Sequence, residues 1–244
     1  MKTLVIIPSR LSASRLPGKP LLKINGLSII SHVVKKAISA NIGEVFVATE
    51  DQEIIDEVKK NGGKAILTSK KHKTGTDRIY EALEILKEPN VDLVVNLQGD
   101  EPLMNVQDIR NLHEHMINSK AELGTLASII SDKNLLENDN VVKVITKETL
   151  DKSKFSEAIN FIRKISKKTE NLYHHLGIYC YKLEILKKFV AFDQSKNEIN
   201  NKLEQLRALD NNIKINVALA KSSPIGVDTE EDFVAIKKIM EYKS

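Results

Sequence analysis

Through its first 119 residues the chain alternates short aliphatic runs with segments of helical period, and few folds accommodate that rhythm. Thr3–Ile7, Val45–Thr49, Ala65–Ser69 and Leu93–Leu97 read as buried strands. Ser28–Ala40 reads as a helix because Ile29, Ile30, Val33, Val34, Ala37 and Ile38 fall on one face. Asp51–Asn61 reads as a second helix, capped by Asp51 and stopped by Gly62 and Gly63, and Asp77–Lys87 and Val106–Ser119 as two more. Strands separated by helices predict an α/β fold with a mostly parallel sheet and helices on both faces. Binding residues are then expected beyond the carboxyl ends of strands, at the crevice where strand order reverses.

The second half is less regular. Leu123–Ile130, Val141–Thr146, Leu176–Tyr181 and Ile213–Ala220 read as strands, Ile199–Asp210 as a helix, and Thr229–Tyr242 as a closing helix capped by Thr229. Lys152–Glu170 is polar, lysine-rich and poorly periodic, and reads as a flexible excursion. With no repeat or linker in view, residues 1–244 are expected to form a single domain, a length ample for a substantial core.

Several function classes are disfavoured. No apolar stretch approaches the roughly 18–20 residues of a membrane helix, and Leu4–Ile7 is too short for a signal-peptide core. Cys180 stands alone, which rules out an internal disulfide and leaves a reducing cytoplasm as the expected compartment. Only 5% of residues are aromatic and none is Trp, so stacking platforms for nucleic acid are scarce and no nucleic-acid partner is expected.

Charge is distributed unevenly. The first 43 residues carry Lys2, Arg10, Arg15, Lys19, Lys23, Lys35 and Lys36 without one Asp or Glu. Arg10, Arg15 and Lys19 lie in the loop Pro8–Pro20, directly after the first strand. That loop is neither a Walker A motif nor a GxGxxG fingerprint, yet small residues and cations suit a polyphosphate, whose oxygens arginine forks grip in pairs. Asp100 follows the fourth strand in Asn96–Pro102, where Gly99 permits a tight turn, and Asp228 precedes the last helix. Carboxylates at such loop ends suit magnesium, a hard ion that takes oxygen ligands. On these residues alone, a basic surface loop, a turn acid and a helix cap fit as well.

Six segments taken together narrow the choice. SRLSASRLPGKPL, KTGTDR (Lys73–Arg78), NLQGDEP (Asn96–Pro102), HLGIYCY (His175–Tyr181), LEQLR (Leu203–Arg207) and GVDTEED (Gly226–Asp232) resemble, in order, the 3-deoxy-manno-octulosonate cytidylyltransferase, or CMP-Kdo synthetase, family. The resemblance implies a three-layer α/β/α nucleotidyltransferase fold, with a small β-rich part that supports a homodimer. It implies that Arg10, Arg15 and Lys19 hold the phosphates of CTP, with Lys19 and Arg15 acting on the reacting group. Thr74, Gly75, Thr76 and Arg78 would line the nucleotide pocket, and Asp100 and Asp228 would bind Mg2+. Gln98, His175, Tyr179, Glu204 and Gln205 would contact the sugar acid, with His175 not serving as general base. The expected reaction is transfer of CMP from CTP to the anomeric hydroxyl of Kdo, with release of pyrophosphate, for lipopolysaccharide synthesis.

One position departs from the family pattern. Glu157 in Lys154–Asn160 stands where an arginine is expected to meet the sugar carboxylate. Arg163 or a nearby lysine would then supply the charge, or Glu157 would select a modified, amino-bearing or sialic-acid-like sugar, or catalysis would be impaired. A non-catalytic nucleotide-binding homologue is the alternative from another functional class.

Overall fold

The N-terminal aliphatic run forms β1 (Lys2–Ser9), buried at every position after Lys2, as befits a strand covered on both faces. The computed structural model describes residues 1–12, 15–165 and 169–242. After β1 come a single turn of 3-10 helix (Lys19–Leu21), a short hairpin of β2 (Lys23–Ile24) and β3 (Leu27–Ser28), then α1 (Ile29–Ala40), β4 (Glu44–Thr49) and α2 (Gln52–Lys60). β5 (Ala65–Leu67), α3 (Gly75–Leu86) and β6 (Val91–Leu97) complete this half. Its strands are parallel in the order β5-β4-β1-β6. The chain steps outward from β1 to β4 and β5, then returns to the other side of β1 with β6. Strand order therefore reverses at the β1–β6 pair, which places the crevice beyond Ser9 and Leu97.

Contacts group the chain into two units: Lys2–Val106 with the stretch from Pro224 onward, and Gln107–Ser223. The second unit contains α4 (Val106–Asn118), β7 (Leu123–Ser128), α5 (Lys133–Glu137), β8 (Lys143–Thr146), β9 (Ser156–Ile162) and β10 (Leu172–Lys182). α6 (Leu183–Ala191), α7 (Lys196–Asn201), α8 (Leu206–Asp210) and β11 (Asn216–Leu219) follow. β10 runs antiparallel to β7 and β8, β9 antiparallel to β8 and β11, and β11 parallel to β7. Each of these five strands pairs with two others of the set, so the ladder closes on itself. The expected mostly parallel sheet is thus found in the first unit, whereas the second is mainly antiparallel.

Two expectations fail here for identifiable reasons. Lys152–Glu170 is no excursion: it supplies β9, paired on both edges. Its inward residues Ser156, Ala158 and Phe161 are mostly small, and a register shift opposite Ile145 and Thr146 breaks their alternation, which hides the strand from a hydrophobic count. The single helix expected over Ile199–Asp210 is two helices, parted at Lys202, whose φ of 53° is left-handed. α6, left unassigned from sequence, buries Ile185, Leu186 and Phe189.

The chain ends in the first unit with α9 (Glu230–Tyr242). Thr229 caps it as expected, its Oγ1 accepting from the Asp232 N–H at 3.2 Å, while Asp232 Oδ2 accepts from the N–H groups of Asp228 and Thr229 at 3.1 and 2.9 Å. Ile236 joins Ile24, Ile29 and Val227 in a buried apolar cluster, flanked by Leu16, Leu22, Phe233 and Met240. This cluster ties the basic loop to the segment that carries Asp228. No helix among the described residues is long and apolar enough to cross a membrane.

Candidate active site

At the crevice of the first unit the ends of β1 and β6 approach closely. A Cβ on Gly99 would lie 3.0 Å from the Pro8 carbonyl oxygen and 3.3 Å from Ser9 Cβ, so any larger residue would push the two loops apart by a few tenths of an ångström. The pocket that results encloses about 290 Å³. Arg10, Arg15 and Lys19 line it from the basic loop, Thr74, Gly75 and Arg78 from the start of α3, Gln98 and Asp100 from the turn after β6, and Asp228 from the segment before α9.

Its electrostatic centre is the Lys19 ammonium. Nζ lies 2.5 Å from Asp100 Oδ2, 3.2 Å from Asp228 Oδ1 and 2.7 Å from the Val227 carbonyl oxygen. Arg15 Nη2 approaches the other oxygen of Asp228 at 3.0 Å. The Val227 N–H donates to the Asp100 carbonyl at 2.9 Å, which fastens the two acidic segments to each other. Burial alone pulls the Lys19 pKa down, but the charges and hydrogen bonds of Asp100 and Asp228 outweigh it, and the pKa stands above 10.5. Lys19 is therefore charged throughout the physiological range.

The basic loop is anchored by a residue to which sequence assigned another task. Asp51 occupies the cap position of α2, yet its side chain makes no capping hydrogen bond. Instead Oδ2 accepts from the Leu11 N–H at 2.7 Å. The neighbouring Glu50 holds the buried Arg78 guanidinium, which also donates to Thr68 Oγ1 at 2.7 Å and the Ser69 carbonyl at 3.3 Å. Arg78 thus borders the pocket as a restrained, ion-paired side chain. Thr74 lines the pocket and caps α3, its Oγ1 accepting from the Asp77 N–H at 3.3 Å. Thr76 is buried and is not among the lining residues. Sequence reasoning missed His72, Lys73 and Ser9, which also line the pocket. Ser9 Oγ is buried without a hydrogen-bond partner among the described residues, although its place beside Arg10 at a strand end was a usable signal.

Of the residues assigned to the sugar, Gln98 is at this pocket, its Nε2 donating to Asn96 Oδ1 at 2.8 Å. The others belong to the second unit. His175 is buried, its Nε2 3.0 Å from Thr125 Oγ1 and its ring packed on Phe161 and Tyr179. Burial, with His174 beside it, pulls its pKa down to about 3, so it is neutral near pH 7. Tyr179 is buried, Glu204 half-buried, and Gln205 stands buried at the cap of α8. The arginine of the same LEQLR segment, Arg207, is sealed in a pair with Glu198 at 2.6 and 2.9 Å, over the Phe189 ring. Glu157 lies 3.3 Å from Lys214 at the surface. Arg163 donates to the carbonyls of Asp139, Asn140, Asn201 and Lys202, so its guanidinium serves backbone closure.

Donor chemistry at the pocket suits magnesium. The described residues contain no cluster of three or more potential metal-binding side chains, but two half-exposed carboxylates that meet at one cation are what this ion uses when phosphates and water complete its shell.

Residues 4–215 match the family model described as Cytidylyltransferase. The 3-deoxy-manno-octulosonate cytidylyltransferase of Afipia carboxidovorans is 42% identical over 98% of this chain and 96% of its own. That of Thermodesulfovibrio yellowstonii is 42% identical over 98% of both chains. The chain belongs to the 3-deoxy-manno-octulosonate cytidylyltransferase family. A solved structure of CMP:2-keto-3-deoxy-manno-octonic acid synthetase complexed with CTP superposes with a TM-score of 0.89, at 32% identity and full coverage of both chains. The 4-diphosphocytidyl-2C-methyl-D-erythritol synthase of Anaerococcus prevotii, at 15% identity and a TM-score of 0.65, shares the fold alone. The basic loop and Asp100 lie within the residues that the family model matches, whereas Asp228 and α9 lie beyond them.

Proposed function

We propose that this chain transfers CMP from CTP to the anomeric hydroxyl of Kdo and releases pyrophosphate, the step that activates the sugar for lipopolysaccharide synthesis. The observation that carries this reading is the convergence of Lys19, Arg15, Asp100 and Asp228 at one pocket, in a chain whose relatives bear the name of that reaction.

The cations do the electrostatic work. A triphosphate carries close to four negative charges, and Arg10, Arg15 and Lys19 form a cradle on one side of the crevice. Lys19 would stabilise charge that builds on the α-phosphate as the sugar oxygen enters and pyrophosphate leaves, a transfer that relies on positioning and charge neutralisation. Thr74 and Gly75 line the pocket and would meet the pyrimidine. Asp100 and Asp228 would hold magnesium, which supplies divalent charge beside the phosphates and acidifies nearby oxygen, so that no side-chain base is needed. His175, neutral and buried, is unsuited to that task.

Gln98, Tyr179, Glu204 and Gln205 are the residues to which we assign the sugar acid, with His175 as a contact. Glu157 is offset by Lys214, which reduces the repulsion that an isolated acid would exert on a carboxylate substrate. We further propose a three-layer arrangement of the nucleotidyltransferase part, a homodimer formed through the β-rich second unit, and residence in the cytoplasm.

Purified protein mixed with CTP, magnesium and a panel of sugar acids tests the reading through pyrophosphate release. Kdo should be the preferred acceptor; preference for an amino-substituted or sialic-acid-like sugar would replace it, and CTP binding without turnover on any of them would make the chain a nucleotide binder. Sedimentation of the same preparation tests the dimer.

A further inference from the structure

The salt links of Lys19 have a consequence for the order in which ligands enter, one that rests on Asp100 and Asp228 being the metal acids. One ammonium touches both carboxylates, at 2.5 and 3.2 Å, and is anchored in addition by the Val227 carbonyl at 2.7 Å. Its side chain is only 12% exposed, whereas those of Asp100 and Asp228 are 30% and 39% exposed. The second oxygen of Asp228 is held by Arg15. The pair of acids is therefore already neutralised by two side chains of the basic loop. Those same two cations would be claimed by a triphosphate, whose oxygens carry more charge than the two acids do.

We propose that Lys19 is a resident counter-cation that latches the acid pair shut to divalent metal in the nucleotide-free protein, and that the latch opens when nucleotide phosphates draw Lys19 and Arg15 away. Without nucleotide, a divalent ion must displace an ammonium held by three oxygens, so its apparent affinity falls by the fraction of time that the latch is open. A latch open about a tenth of the time weakens binding about tenfold. The device keeps a metal-loaded, empty site rare and couples metal entry to the substrate that needs it.

Binding of Mn2+ to the nucleotide-free full-length protein, followed by the loss of the free-ion electron paramagnetic resonance signal, tests this without any turnover. The variant Lys19→Met, similar in length but uncharged, should bind Mn2+ about tenfold or more tightly than the unaltered protein, and Lys19→Gln should follow the same direction. That gain should vanish in the double variant Lys19→Met with Asp100→Asn, which supports both the latch and the metal assignment. If the unaltered protein binds Mn2+ as tightly as Lys19→Met and loses it on Asp100→Asn, the latch is overturned while the metal assignment stands. If the gain persists in the double variant, both fall. Should the variants fold poorly, labelling of the unaltered protein with an amine-reactive reagent decides: Mn2+ raised until the site is occupied must displace the ammonium and so raise modification of Lys19, read by mass spectrometry, and unchanged labelling at an occupied site overturns the proposal.

Discussion

Two charged clusters in this chain look alike as ion pairs and behave differently as chemistry. In the second unit Arg207 and Glu198 close on each other with side chains 2% and 4% exposed, and Ser195 and Gln194 complete the carboxylate's hydrogen bonds. In the first unit one lysine is divided between two acids that remain about a third exposed. The sealed pair has every partner it needs and nothing to exchange. The open cluster has two carboxylates held by Lys19 and Arg15 with solvent at its margin, so an arriving polyanion can draw those cations away and redistribute its contacts. Burial and completeness of partners, more than charge, separate structural ion pairs from working ones here.

The largest expected effect breaks the open cluster chemically and leaves it folded. Asp100→Asn should lower CMP transfer by about a thousandfold or more, while the melting temperature changes little, because a half-exposed acid contributes little to stability but would hold the metal. Near-normal turnover at saturating magnesium would remove Asp100 from the mechanism. Breaking the sealed pair should do the opposite. Arg207→Met leaves Glu198 buried and uncompensated, at a cost of about 3–5 kcal/mol in denaturant unfolding. The surviving folded fraction should retain its turnover number; a fall in turnover without a fall in stability would mean that the arginine works at the site.

A third substitution sharpens the comparison at the border between structure and chemistry. Asp51 touches no ligand in our reading, but its carboxylate fixes Leu11, next to Arg10. Asp51→Ala should raise KM for CTP about tenfold with a smaller change in kcat, since one anchored backbone hydrogen bond is worth about 1–2 kcal/mol when a carboxylate accepts it. Asp51→Asn, which keeps an acceptor, should restore most of the loss. Equal effects from the two substitutions would show that the side chain acts in another way.

These cases mark how much was legible in the sequence. The parallel half was, because Leu4–Ile7, Val45–Thr49 and Leu93–Leu97 are strands buried on both faces and the helices between them carry clear apolar stripes. So was the meeting of the basic loop with Asp100, which follows once β1 and β6 are neighbours, whereas Asp228 was expected there only through the family resemblance. β9 was not, since Ser156 and Ala158 offer no apolar signal. Nor was the role of Asp51, because the same residue type serves as a helix cap or as a loop anchor, and only the position of Leu11 distinguishes them. Thr76 follows the lining residues Thr74 and Gly75 but is buried, as one position along a helix rotates a side chain by about 100°.

The smallest effect concerns protons and separates the two units again. Burial first, and Lys143 nearby, pull the His174 pKa down to about 4, as burial takes that of His175 to about 3. Both are depressed below the unfolded value of about 6.5. Between those limits the unfolded chain binds protons that the folded chain refuses, so stability is complete above about pH 6.5 and declines as pH falls toward 4. Each such histidine steepens that decline by up to about 1.4 kcal/mol per pH unit. His174 is the better probe, because among the described residues its Nδ1 meets Ser223 Oγ at 2.8 Å, whereas the His175 ring is wedged between Phe161 and Tyr179. In His174→Gln, unfolding free energies measured from pH 7 to pH 4.5 should fall less steeply than in the unaltered protein, whatever the offset at pH 7. The Lys19 cluster should contribute nothing to the difference over this range, since its ammonium stays charged far above it. An unchanged slope would mean that His174 takes up its proton in the folded state, and that the polar interior of the second unit is less firmly sealed than the Arg207–Glu198 pair.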